Sequence, residues 1–183
     1  RRLDSITKPG IDKGIFKIAS RILLDVSKRG DTALQRFTKE FDGVDVSAKK
    51  LRISQGDVNR AYEKIDVRFV PALNQVIENV KRYYKKELRR SYRIQLRDGS
   101  FVGKKYVPLK RVGIYVPGGQ APLISTIYMT AVPAQIAGVT DLVMVTPPQR
   151  ETGYINPHLL VVADLLGIKE VYRVGGAQAI GAL

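Results

Sequence analysis

The sequence has no cysteine, which excludes a disulfide framework, a thiolate nucleophile and a thiolate metal site. Histidine is nearly absent too, and His158 alone cannot build a zinc centre. No long hydrophobic run occurs: Gly, Pro or charge interrupts each apolar stretch well before the ~18 residues a membrane helix needs, so no membrane partner is expected. The opening Arg1-Arg2-Leu3-Asp4 carries no apolar signal-peptide core, and a cytoplasmic location is the expectation. Internal repeats and low-complexity segments are likewise missing.

What is present is a chain of 183 residues with 44% hydrophobic side chains, enough for one good core or two small ones. Its net charge is +14, and the charge is uneven. Residues 1–111 carry 28 Lys and Arg against 13 Asp and Glu, whereas residues 112–183 carry 3 against 4. The densest basic run, residues 81–90, falls in a helical pattern that would place the charges on a solvated face. Attraction to anions stays open as an alternative. No nucleic-acid motif accompanies the charge, however, and nucleic acid is not an expected partner.

Apolar residues recur at helical spacing over 11–28, with Ile15, Ile18, Ala19, Ile22, Leu23 and Val26 as the buried stripe and Gly30 as the stop. A second helix is expected with Asp31 as its cap and Ala33, Leu34 and Phe37 buried, ending at Phe41-Asp42-Gly43. A short helix follows over 55–65. Pro71 suits the first turn of a longer one whose stripe is Leu73, Val76, Ile77, Val80, Tyr84 and Leu88. The period then changes to alternation over 92–96, Asp98-Gly99 forms a hairpin turn, and 101–107 returns as the second strand of a β-ribbon.

From Val112 onward short apolar strands alternate with helices: strands over 112–116, 142–146 and 171–174, helices over 125–137 and 157–166, and a further helix starting at Ala177. This predicts an α/β fold, a helical N-terminal region and β-ribbon over 1–111 followed by a parallel α/β sheet over 112–183. Asn156-Pro157 and Ser125 are the expected helix starts, and Gly138 and Gly167 the stops. The last helix begins at Gly175-Gly176-Ala177 and stops within a few residues, which gives the expectation of a fragment whose sheet is incomplete.

Glycine pairs close the first and third parallel strands, at Pro117-Gly118-Gly119 and Val174-Gly175-Gly176. Both fall at strand carboxyl ends, where open α/β sheets bind ligands and a glycine turn leading into a helix suits a phosphate. Glycines also serve there simply to permit tight turns. Neither turn is a G-x-G-x-x-G, and the second strand ends in Thr146-Pro147-Pro148 rather than a ribose-binding acid, which disfavours an ordinary dinucleotide site. Tyr115 and Gln178 project from these turns and offer an aromatic hydroxyl and an amide to a nucleotide; packing and a polar first-turn position are the plainer explanations. His158 is expected on the surface. No nucleophile, base and acid set is identifiable, so no catalytic or metal-binding residue is assigned.

Together, RVGIYVPGG at 111–119, APLISTIYM at 121–129, PAQIAG at 133–138, VMVTPP at 143–148, INP at 155–157 and VGGAQAI at 174–180 resemble histidinol dehydrogenase. The Arg29-Gly30-Asp31-Thr32-Ala33-Leu34 junction and the Phe41-Asp42-Gly43 turn extend the resemblance over essentially the whole chain. The resemblance implies NAD-dependent, zinc-requiring oxidation of L-histidinol to L-histidine through an aldehyde, the last step of histidine biosynthesis, by a homodimer with incomplete Rossmann-like domains. It also implies that Tyr115 and Gln178 contact NAD. The zinc ligands, the glutamate–histidine acid/base pair, a further NAD-binding asparagine and most substrate contacts would lie past Leu183, leaving residues 1–183 inactive by themselves. Two alternatives stand beside it: a paralogous dehydrogenase of another polar alcohol, and a basic module that binds anions or nucleic acid.

Overall fold

The computed structural model describes residues 12–118 and 122–183. The expected Ile11 helix start, and Gly119 and Ala121 of the proposed motifs, lie outside them. Helix α1 (Lys13–Arg29) is capped by Asp12, whose carboxylate accepts from the N–H of Gly14 and Ile15. It stops at Gly30, which holds φ +52° and also serves as the N-cap of α2 (Asp31–Phe37). Asp31 is therefore the first residue of α2 and not its side-chain cap. A wide π-type turn over Thr38–Asp42 then ends at left-handed Gly43. Helix α3 (Gln55–Tyr62) opens on a reciprocal capping box between Ser54 and Asp57, and α4 (Phe69–Glu87) follows.

The expected ribbon is present as β1 (Tyr92–Gln95) and β2 (Phe101–Lys104), antiparallel around Asp98-Gly99. Every residue of the two strands is exposed. The second strand ends three residues before the predicted Val107.

The remainder is a parallel sheet ordered β3-β4-β5, from β3 (Arg111–Tyr115), β4 (Asp141–Thr146) and β5 (Glu170–Arg173). It alternates with α5 (Ile124–Ile136), α6 (Pro157–Leu165) and α7 (Gly176–Ala182). The strand–helix pattern thus gives the anticipated α/β architecture, with boundaries shifted by about one residue. Asn156 caps α6 as expected, accepting from the His158 N–H at 3.0 Å. Ser125 does not cap α5: Leu123 holds that position without a side-chain hydrogen bond.

Successive strand residues point to opposite faces, so the sheet has two cores. Ile114, Leu142, Met144 and Val171 face α3, α4, α5 and α6, with Ile127, Val132, Val161 and Val162 fully enclosed. Val145 and Val174 face the other way, against Ile22 and Val26 of α1, Leu34 and Phe37 of α2 and Ala179 of α7. Each such aliphatic side chain contributes about 1.5–3 kcal/mol by leaving water. The helices before Arg111 therefore cover both faces of the sheet formed after it. Tyr62 fastens α3 to α6 by donating to Asp164 at 2.8 Å; burial and that carboxylate push its phenol pKa up to about 12.

Residues 51–53 add a short antiparallel partner to β5, with Ile53 N–H on Val171 O and Arg173 N–H on Leu51 O, both at 2.8 Å. Two expected stripes are only partly used. In α1 just Ile22 and Val26 are buried, while Ile15 and Ile18 are 67% and 53% exposed because nothing among the described residues packs on that half. In α4 Leu73 and Ile77 are buried, whereas Val76 faces outward, as does Leu88 just past the helix end. The basic run lies on the outer end of α4, where Lys81 pairs with Glu78 at 2.9 Å. No helix among the described residues is long and apolar enough to cross a membrane.

Candidate functional site

Parallel pairing places the carboxyl ends of β3, β4 and β5 on one edge, and the three connections leave from there. After β3 come Val116, Pro117 and Gly118; after β4, Pro147 and Pro148; after β5, Val174, Gly175 and Gly176. The two glycine turns lie on either side of the central strand's exit.

Tyr115 and Gln178 are both at this edge. The Tyr115 side chain is half-buried on the α7 side of the sheet, and its Oη accepts a hydrogen bond from the Gly176 N–H at 3.3 Å. Gln178 lies two residues further along α7. Contrary to a side chain projecting freely from the turn, it is 1% exposed. It folds back over its own helix start, so that a Cβ on Gly176 would sit 2.6 Å from Gln178 Oε1. Gly176 has φ +61°, which a side chain would also oppose.

Neither polar atom of the Gln178 amide has a hydrogen-bond partner, and the same is true of the fully buried Thr146 Oγ1. An unpartnered buried amide costs about 1–3 kcal/mol, so it calls for a partner such as a ligand, an ion or a water. The orphaned amide lies with Tyr115 at this edge, and the polar edge of a nucleotide would satisfy it once the side chain turns out from beside Gly176.

Arg173 ends β5 at this same level and is 7% exposed. It lies 3.6 Å from Asp57, and its Nη1 donates to Gly153 O at 3.3 Å. Burial disfavours the Asp57 carboxylate, but bonds from Ser54 and Arg60 and the Arg173 charge together outweigh it and hold the group below the usual carboxylate range. This pair braces α3 against the sheet. His158 is not a free surface residue: its ring stands edge-on to Phe69 with centroids 4.9 Å apart, and Nδ1 lies 3.2 Å from Asn156 Oδ1.

Sequence reasoning passed over Pro147, which touches both glycine turns, and Thr146. The Thr146-Pro147-Pro148 run was read as a strand end lacking an acid and as part of the VMVTPP motif, with no role given to Pro147 itself. Among the described residues no three His, Cys, Asp or Glu side chains gather into a possible metal site. These residues do not fit a zinc centre.

A family model described as histidinol dehydrogenase matches residues 9–183. A histidinol dehydrogenase from Symbiobacterium thermophilum is 44% identical over 162 residues, which cover 88% of this chain and 37% of that protein. One from Thermotoga maritima is 38% identical over 183 residues, all of this chain and 41% of that protein. The crystal structure of histidinol dehydrogenase from Elizabethkingia anophelis superposes with a TM-score of 0.86 at 33% identity, covering 92% of this chain and 38% of that one. The chain spans about two fifths of the length of the relatives it matches.

Proposed function

The chain belongs to the histidinol dehydrogenase family, and from that we propose that it supplies part of the NAD-binding site of an enzyme oxidising L-histidinol to L-histidine through the aldehyde. The observation that carries the NAD reading is the enclosed, unpartnered amide of Gln178 next to the Tyr115–Gly176 link. NAD, when bound, accepts the hydride released from the alcohol carbon. The residues of this chain bind and orient: the Gln178 amide, turned out from its enclosed position, offers a donor and an acceptor, and the Tyr115 ring offers an aromatic face.

We place the zinc ligands and the proton-transferring pair in the longer protein, outside residues 1–183. A catalytic zinc takes about three protein ligands, and the one histidine here is engaged with Phe69 and Asn156. A homodimer in the cytoplasm, acting in histidine biosynthesis, completes the reading.

The test compares residues 1–183 with the full-length protein that carries them, following NADH formation from L-histidinol and zinc content after dialysis. The full-length protein is expected to turn over and to retain zinc, and the 1–183 chain to do neither. Turnover by the 1–183 chain contradicts the placement of the chemistry, and an inactive full-length protein contradicts the substrate.

A further inference from the structure

We propose that Pro147 is a positioning residue that sets the separation of the two glycine turns, an inference that rests on the NAD reading and deepens it. Pro147 leaves β4, the central strand, and so stands between the turn after β3 and the turn after β5. A Cβ on Gly118 would fall 2.8 Å from both Cγ and the carbonyl oxygen of Pro147. A Cβ on Gly175 would fall 2.5 Å from Pro147 Cβ and 3.1 Å from its Cγ. Unstrained carbon contacts lie at about 3.5–4.0 Å, so neither position has room for a side chain.

Backbone conformation does not account for these glycines. Gly175 is extended, with φ −120° and ψ −167°, and Gly118 is not among the glycines at positive φ. Gly176 is the contrast, since its φ of +61° favours glycine by itself. Gly118 and Gly175 are thus glycine because residue 147 occupies the space beside each, through its Cβ at Gly175 and through its carbonyl oxygen together with the pyrrolidine ring at Gly118. A pyrrolidine ring has no rotamer through which to swing clear. It is a wedge of fixed shape on which both turns rest, while the Tyr115–Gly176 hydrogen bond closes the same edge on the α7 side.

A cofactor that takes contacts from both turns senses their spacing, because displacements of about 1 Å are enough to weaken binding or misalign a reacting group. Pro147 itself contributes no polar contact; it acts through Gly118 and Gly175.

The test uses the full-length protein and reads NAD+ affinity and thermal midpoint together. Pro147→Ala keeps Cβ but removes the ring atoms beside Gly118; the NAD+ dissociation constant is expected to rise about tenfold while the midpoint falls only a few degrees. Gly175→Ala collides with Pro147 Cβ, so Gly175→Ala/Pro147→Gly is expected to regain affinity and midpoint, and Gly175→Ala/Pro147→Ala is not. Gly118→Ala faces the carbonyl oxygen, which every residue at 147 retains, and Pro147→Gly is expected to leave it impaired.

Unchanged affinity in Pro147→Ala, or no recovery of Gly175→Ala by Pro147→Gly, overturns the proposal. A wild-type protein that binds no NAD+ overturns the NAD reading and the positioning role with it. The recovery pattern in the thermal midpoint then still decides separately whether the wedge is real.

Discussion

The phenol oxygen of Tyr115 accepts from the backbone N–H of Gly176 at 3.3 Å, tying the end of β3 to the start of α7 across the central strand. The bond is long, and Gly176 is exposed enough for water to take its place. Tyr115→Phe keeps the ring and deletes the acceptor. It is expected to cost about 1 kcal/mol or less in a denaturant titration and to weaken NAD+ binding several-fold. Wild-type affinity in Tyr115→Phe would show that the hydroxyl does not shape the site.

Gln178 carries the opposite signature, a polar group that burdens the empty fold. Its amide is enclosed with both atoms unpartnered, so Gln178→Met, which nearly conserves volume, is expected to raise the stability of the cofactor-free protein by about 1 kcal/mol. Chemical denaturation without NAD checks this. A destabilised variant would mean that the amide is already satisfied in solution.

Asp57 and Arg173 predict a response to acid. The Asp57 carboxyl is held below its ordinary range, so the stability it contributes is fully present above the ordinary carboxylate pKa of about 3.9 and is lost as pH falls through the lower folded value. Asp57→Asn leaves the nearly buried Arg173 without its carboxylate and is expected to cost about 2 kcal/mol at neutral pH, with a shallower loss of stability in acid. Unfolding free energies measured from neutral to acid pH distinguish this from a parallel shift of the whole curve, which would mean that Asp57 does not titrate with folding.

The order of elements was legible because periodicity and punctuation agree along this chain. Val143 to Val145 form an apolar run ended by prolines, Asn156-Pro157 is a strong helix start, and Gly30, Gly138 and Gly167 stand at stops with positive φ. The placement of Tyr115 and Gln178 by the strand ends followed from the same pattern. What local pattern does not carry is which surface meets which. Ile15 and Ile18 show the same helical period as Ile22 and Val26, yet only the second pair reaches the sheet. The pairing of residues 51–53 with β5 joins segments more than a hundred residues apart, and the burial of Gln178 depends on how α7 sits over the sheet. Pro147 was read for what it lacks as an acid; its contact with both glycine turns is a tertiary fact.

The most direct test is a calorimetric titration of NAD+ into the full-length protein and its Gln178→Ala variant, with circular dichroism as the check on folding. Saturable binding near one site per chain is predicted for the wild type, and an affinity at least about tenfold lower for a variant that remains folded. Equal affinities in the two proteins, or no binding to either, would contradict the placement of the cofactor at Tyr115 and Gln178.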